Sequence, residues 1–207
     1  EICNNLQNGM IIENSTVEVQ NNEIANNSQS GICITGDNHI TIQNNTIKSN
    51  ADGILLAGNS TSGVNITENI VVSNTQSGIQ LAADDYIDVN ILNNTLSANN
   101  NGFCVSGQAN TCITNNSISF NTIGIFYEQG QDHEAHWNDI YGNEHGIDVS
   151  SNTTVNAEYN YWGHESGPYH VSLNPTGSGN PVGGDGVNLD FIFFLTCLLY
   201  TSDAADE

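Results

Sequence analysis

Positively charged side chains are almost missing from this chain of 207 residues, in which Lys48 stands against 23 acidic residues. The formal net charge is −22. Proteins that bind nucleic acids or anionic membranes need basic patches to neutralise phosphate, so we expect neither as a partner. The chain also lacks the arginine fork that recognises a uronate carboxylate, so an acidic polysaccharide would need Ca²⁺ as a bridging ion.

The chain contains a repeat instead. A glycine opens a short apolar stretch at steps of 22 to 25 residues, and inside each unit apolar residues alternate with polar ones. This alternation is typical of β-strands. A fixed period of this size predicts a solenoid of about seven coils, whose units bury their apolar faces on one another. The glycines are Gly9, Gly31, Gly53, Gly78, Gly102, Gly124 and Gly146.

The alignment of the repeats predicts the core. Its members lie one and three residues after each glycine, and on a third strand later in the coil. They are Met10, Ile12, Ile24, Ile32, Ile34, Ile47, Ile54, Leu56, Val71, Ile79, Leu81, Leu96, Phe103, Val105, Ile118, Ile125, Tyr127, Ile140, Ile147, Val149 and Trp162.

Asparagine recurs two residues before each core residue of the third strand. Asparagine tolerates the left-handed conformation of a sharp bend, and stacked amides can hydrogen-bond to one another along the solenoid axis. The sequence therefore predicts a structural ladder of asparagines: Asn22, Asn45, Asn69, Asn94, Asn116, Asn138 and Asn160.

These repeats resemble the right-handed parallel β-helix of pectate-lyase-like proteins, where an asparagine ladder lies between the second and third strands. The resemblance covers residues 9 to about 162 and implies an all-β fold, a single right-handed parallel β-helix. The tail, with Tyr161-Trp162-Gly163 and Ser166-Gly167-Pro168, looks like the closing segment of exported bacterial and archaeal β-helix proteins. That family includes surface-layer and adhesion-type proteins and the periplasmic copper-site accessory protein of nitrous oxide reductase maturation. It implies an extracellular, cell-surface or periplasmic location.

The sequence divides into three parts: β-helix coils over 1–162, a closing segment, also called the tail, over 163–196, and a terminal stretch over 197–207. The terminal stretch is predicted to be read-through of a sequencing adapter and no part of the fold. The chain begins with Glu1 inside a coil, so we expect a fragment of a longer protein.

Neither the cysteines nor the apolar stretches decide the compartment. Cys33 and Cys104 occupy the same repeat position three coils apart, about 14 Å by strand spacing, which is too far for a disulfide. A bridge between Cys104 and Cys112 is not expected either. No apolar stretch is long enough to span a membrane, so the sequence predicts no membrane insertion.

Candidate catalytic residues lie on the first strand after the glycine. Glu128 and Asp148 are predicted on neighbouring coils with backbones about 8 Å apart, a spacing that suits the two carboxylates of an inverting glycosidase. Phe126 would be a sugar-stacking surface and His145 lies at the edge. We lean against an enzyme, because the basic residue that a polysaccharide lyase needs is missing nearby.

A candidate metal site lies on the second strand. Glu134, His136 and Glu158 are predicted to project outward from neighbouring coils, with Cys112 one coil below. Imidazole, carboxylate and thiol can hold zinc or copper, although their spacing matches no dedicated motif. His133 falls at a core position and is predicted to be neutral and half-buried.

We interpret the chain as a rigid exported or cell-surface scaffold that contacts carbohydrate, such as a polysaccharide or a cell-surface glycan, and requires no cofactor. Two alternatives stay open. One is a carbohydrate-active enzyme, a hydrolase or lyase, that uses Glu128 and Asp148. The other is a periplasmic metal-handling β-helix protein. The sequence leaves the ligand and the oligomeric state open.

Overall fold

The computed structural model describes residues 1–36, 39–58, 63–82, 89–184 and 188–199. The regular elements in these ranges are all β-strands. No helix in the described ranges is long and apolar enough to cross a membrane. Residues 200–207, most of the segment predicted to be adapter read-through, lie outside the described residues.

The strands form three parallel sheets, and each complete coil contributes one strand to each sheet. The third-strand sheet contains β1 (Ile2–Cys3), β4 (Glu23–Ala25), β7 (Thr46–Lys48), β10 (Ile70–Val72), β13 (Thr95–Ser97), β16 (Ser117–Ser119) and β19 (Asp139–Tyr141). The first-strand sheet, which follows the glycines, contains β2 (Met10–Glu13), β5 (Ile32–Thr35), β8 (Ile54–Leu56), β11 (Ser77–Leu81), β14 (Asn101–Val105), β17 (Ile123–Tyr127) and β20 (His145–Val149). The second-strand sheet contains β3 (Thr16–Gln20), β6 (His39–Gln43), β9 (Val64–Thr67), β12 (Val89–Leu92), β15 (Thr111–Thr114), β18 (His133–His136), β21 (Val155–Asn156) and β24 (Leu189–Asp190). In the tail, β22 (Pro168–Tyr169) pairs with β23 (Gly179–Pro181).

The fold is a parallel β-helix, as predicted. The register stacks equivalent residues on one another, so that Ile54 faces Ile32 on one side and Ile79 on the other. Among the predicted core residues, Met10 and Val149 are only partly buried and the others are buried. The core is therefore one continuous apolar column along the helix axis, and function is confined to the outward side chains and the tail.

The repeat glycines are required by a close approach between coils. A Cβ atom on Gly102 would lie 2.6 Å from the carbonyl oxygen of Gly124, and one on Gly31 would lie 2.8 Å from that of Gly53. Real Cβ atoms do not approach a carbonyl so closely. Any larger residue would push the coils apart, which explains why glycine marks the period.

The predicted asparagine ladder is present between the second and third strands. The side-chain amide of each member donates to the side-chain oxygen of the next at 3.0 to 3.2 Å. One part of the expectation was wrong, because the ladder residue is not the one with left-handed geometry. That conformation belongs to the residue before it, such as Asn93 and Trp137, each with φ 57°.

A second ladder, not predicted, lies between the third strand and the first strand of the next coil. Its members bond amide to amide at 2.8 to 3.2 Å. Its last step joins Asn143 to Asn180 and so fastens the tail to the final coil. The ladder contains Asn5, Asn27, Asn50, Asn74, Asn99, Asn121, Asn143 and Asn180.

Candidate functional site

The predicted catalytic residues lie on the first-strand sheet. Asp148 is the register partner of Phe126, so Glu128, two residues further along, is offset from Asp148 as expected. Glu128 is exposed and Phe126 is half-buried. The catalytic roles of these residues stay predictions.

His145 and Asp148, two of the predicted catalytic residues, are in direct contact, which the sequence had not predicted. Nδ1 of His145 lies 3.2 Å from Oδ1 of Asp148, and the two side chains are 51% and 26% exposed. The carboxylate of Asp148 also lies against Gly183 of the tail, so closely that a Cβ atom there would clash with it. Asp148 is therefore held by an imidazole and covered in part by the closing segment.

Of the predicted metal-binding residues, Glu134 and His136 lie on β18 of the second-strand sheet, whereas Glu158 lies in the turn after β21. Glu134 lines two shallow concavities. One concavity of about 290 Å³ is lined by residues that include Asp132, Glu134 and Asp190. Its neighbour, of about 360 Å³, shares Asp132 and Glu134 and extends to Cys112. Because they share these residues, the two form one acidic groove across neighbouring coils, which we call the second-strand groove.

His136 has a defined tautomer at the end of β18. Its Nδ1 lies 2.9 Å from the backbone carbonyl oxygen of Glu158. A carbonyl oxygen can only accept, so Nδ1 carries a proton, and in the neutral form of the ring the lone pair is on Nε2. The same arrangement orients metal-binding histidines in other proteins. Glu158 therefore acts through its backbone oxygen, which accepts the hydrogen bond from His136. The sequence had pointed to its carboxylate instead.

Cys112 is exposed and faces Glu134 in register on the neighbouring strand. Partial burial, and then the charge of Glu134, raise the pKa of its thiol. The other cysteines of the repeat are less accessible. Burial raises the pKa of the Cys104 thiol to about 12, and Cys33 is buried as well. All five cysteines are free, and these include Cys33 and Cys104, for which the strand spacing had excluded a bridge.

His133 is a core residue and is more deeply buried than predicted, with 0% of its surface exposed. Its ring stacks on Tyr127 with centroids 4.4 Å apart. Nε2 lies 2.9 Å from the carbonyl oxygen of Gln129 and must donate to it, so Nδ1 accepts from the Thr111 hydroxyl at 3.0 Å. Burial lowers the pKa of His133, and its hydrogen bond to Gln129 and the charge of Asp132 only partly oppose this. The imidazole is therefore neutral.

Sequence reasoning missed a row of exposed aromatic rings, Trp137, Tyr159 and Phe193, which we call the aromatic strip. Trp137 and Tyr159 stack at 5.0 Å with an interplanar angle of 9°, and Tyr159 and Phe193 follow at 6.2 Å and 15°. The signal for the first two was visible, because each directly precedes a ladder asparagine. Phe193 joins them only because the tail folds back onto the last coil.

One known protein family matches most of this chain. The model of one family, described as "Periplasmic copper-binding protein (NosD)", matches residues 1–180. The chain belongs to the NosD family. The periplasmic description of this family confirms the expected location outside the cytoplasm, and its β-helix agrees with the fold. No curated protein matches the chain.

The NosD family's name raises the question of a metal centre. In the described part of the chain, no group of three or more His, Cys, Asp and Glu side chains is placed to hold a metal ion. Glu134 and His136 share the outward face of β18, but no third donor among the described residues converges with them. The donors that the fold does bring to the second-strand sheet are the thiol of Cys112, the carboxylate of Glu134 and Nε2 of His136.

Proposed function

We propose that this chain is a periplasmic β-helix scaffold that handles copper as a transient cargo on its second-strand sheet. The observation that carries the proposal is the tautomer of His136, whose free Nε2 belongs to the same outward face as the exposed thiol of Cys112. Membership in a family described as copper-binding supports this direction. Stiffness comes from the two asparagine ladders and the continuous core.

A resident copper centre does not fit the residues that the structure describes. Permanent centres hold the metal with three or four convergent ligands, and no such group is found among these residues. An open face with few donors suits an ion that is received and passed on. We therefore treat copper as cargo and assign it no role in the stability of the fold.

Copper(I) is the oxidation state that this donor pair favours, because thiolate is a soft ligand and imidazole also suits copper. Cys112 and His136 lie on neighbouring strands, two residues apart in register, with backbones about 8 Å apart. The thiol must lose its proton to bind, and burial and Glu134 hold its pKa above the usual range. Affinity should therefore rise as the pH rises.

The test is a competition for copper(I) between the full chain and a chromophoric copper(I) chelator under anaerobic, reducing conditions. We expect Cys112→Ser and His136→Gln to lower the affinity by more than about tenfold, since even outer-shell changes at metal sites cost about 10- to 100-fold. Cys197→Ser is the matched control, because it removes an exposed thiol that lies outside the repeat, in the terminal stretch. Equal affinity of the wild type and Cys112→Ser would contradict the proposal.

Contact with a polysaccharide or cell-surface glycan, Ca²⁺ as a bridging ion and catalysis by Glu128 and Asp148 all stay predictions. Phe126, the proposed sugar-stacking residue, is half-buried between Cys104 and Asp148 in the first-strand sheet.

A further inference from the structure

The aromatic strip occupies a place where the fold does not require aromatic rings. Trp137 and Tyr159 hold the left-handed position before the ladder, with φ 57° and 61°. In earlier coils that position is taken by small or polar residues, among them Asn21, Asn44, Glu68, Asn93 and Asn115. Asparagine tolerates this geometry far better than a bulky ring does. Strained positions of this kind cluster at ligand sites, so these rings are candidates for a role outside folding.

The three rings are open to solvent. Trp137 is 43% exposed, Tyr159 39% and Phe193 62%. Ile192, the neighbour of Phe193 in the sequence, is also 60% exposed. Contiguous exposed apolar surface of this kind commonly marks a site of interaction.

The stacking geometry indicates what kind of ligand fits. Sugars pack on the faces of aromatic rings, but Trp137 and Phe193 cover the two faces of Tyr159. The middle ring therefore offers its edge and its hydroxyl to solvent. A row of ring edges suits apolar side chains of a protein segment better than a carbohydrate.

Charge indicates the character of the partner. Glu158 directly precedes Tyr159, and Asp190 lies in the same closing region as Phe193. The net charge of the chain is −22, and its one lysine, Lys48, is paired with Glu23 at 2.7 Å. An acidic or neutral partner would gain nothing from this field, whereas a basic one would be attracted to it.

We propose that the aromatic strip docks a basic protein segment, whose apolar side chains pack on the ring edges while its lysines or arginines are attracted by the negative charge of the chain. The surface is separate from the donors assigned to copper, apart from His136, whose ring lies 6.3 Å from that of Tyr159. Occupation of the strip would thus place a partner beside the second-strand groove.

The experiment measures binding of labelled peptides to the full chain by fluorescence anisotropy. The probes are a peptide of alternating Lys and Leu, one of alternating Lys and Ser, and one of alternating Glu and Leu. The strip variants are Trp137→Asn and Tyr159→Asn, which restore the residue found at this position in other coils. Phe120→Asn is the matched control, because Phe120 is an exposed ring, 64% exposed, in the left-handed position of the other turn.

We expect the Lys-Leu peptide to bind most tightly, and the strip variants to weaken it about tenfold, to the level of the Lys-Ser peptide. Phe120→Asn should leave it unchanged, and added salt should weaken it. Trp137 provides a second signal, since the other tryptophan, Trp162, is 0% exposed. Equal binding by wild type and strip variants would overturn the proposal. So would equal binding of the Glu-Leu peptide, or a neutral glucan that binds the wild type and not the variants.

Discussion

The side-chain amide of Asn94 donates to the side-chain oxygen of Asn116, 3.1 Å away, and the backbone N–H of Asn94 donates to the same oxygen at 2.8 Å. The amide also donates to the carbonyl oxygens of Ile66 and Leu92. One buried side chain therefore satisfies polar groups of three coils. This connection adds to the backbone hydrogen bonds of the three sheets in fixing the spacing of the coils.

Asn94→Ala should lower the free energy of unfolding by about 2 to 4 kcal/mol, because each buried polar group left without a partner costs about 1 to 3 kcal/mol. Asn99→Ala, in the second ladder, should cost a similar amount, since Asn99 has the same kind of partners. The measurement is the urea midpoint. Asn90→Ala is the control, because Asn90 is exposed and bonds only to Asn65 among the contacts described for its side chain. A similar loss in the control would show that the ladders are not special.

His133 should make the protein less stable in weak acid. Because burial lowers its pKa, the folded state resists a proton that the unfolded chain accepts near pH 6.5. The unfolded state binds more protons in this range, so stability falls as the pH drops below about 6.5. The double variant Thr111→Val, His133→Val, which copies the valines at 64 and 89, should show a smaller loss between pH 7 and pH 5. Thermal unfolding at several pH values tests this, and parallel curves for variant and wild type would refute it.

Asp52 should behave in the opposite way. Burial raises the pKa of this carboxyl, although the backbone N–H of Ser77, 3.0 Å from Oδ1, partly opposes the shift. Ionisation then costs stability above the raised pKa, and the cost vanishes below the unfolded pKa of about 3.9. Asp52→Asn keeps an acceptor for Ser77, as Asn8 does for Ser30. The variant should therefore be more stable than wild type at pH 7, with the gain lost as the pH falls through the raised pKa.

The control for Asp52 is Glu13→Gln, which neutralises an exposed acid and reduces the net charge equally. It should change the melting temperature at pH 7 much less than Asp52→Asn does. If both variants gave the same gain, the effect would come from the overall negative charge and not from the buried carboxyl.

The repeat could be predicted in detail because its causes are local and recur in every coil. Gly102 must be glycine owing to the carbonyl of Gly124, and Asn94 must be asparagine owing to its neighbours in the ladder. The second ladder, which was not predicted, has the same kind of signal up to Asn143, an asparagine five residues after each member of the first. Its last member, Asn180, follows Asn143 by 37 residues and lies outside the repeat. The candidate sites were harder to predict, since outward side chains such as Glu128 and Glu134 are not constrained by the repeat.

The sequence by itself determined the period, the alternation of core residues, the first asparagine ladder and the parallel β-helix, because units that repeat in this way bury their apolar faces by stacking equivalent positions on one another. The tertiary structure decided which outward groups meet. It directs Nδ1 of His136 to the carbonyl of Glu158 and brings Phe193 onto Tyr159. It also joins Asn180 to Asn143. These contacts depend on side-chain rotation and on the path of a tail outside the repeat, and no periodicity encodes either.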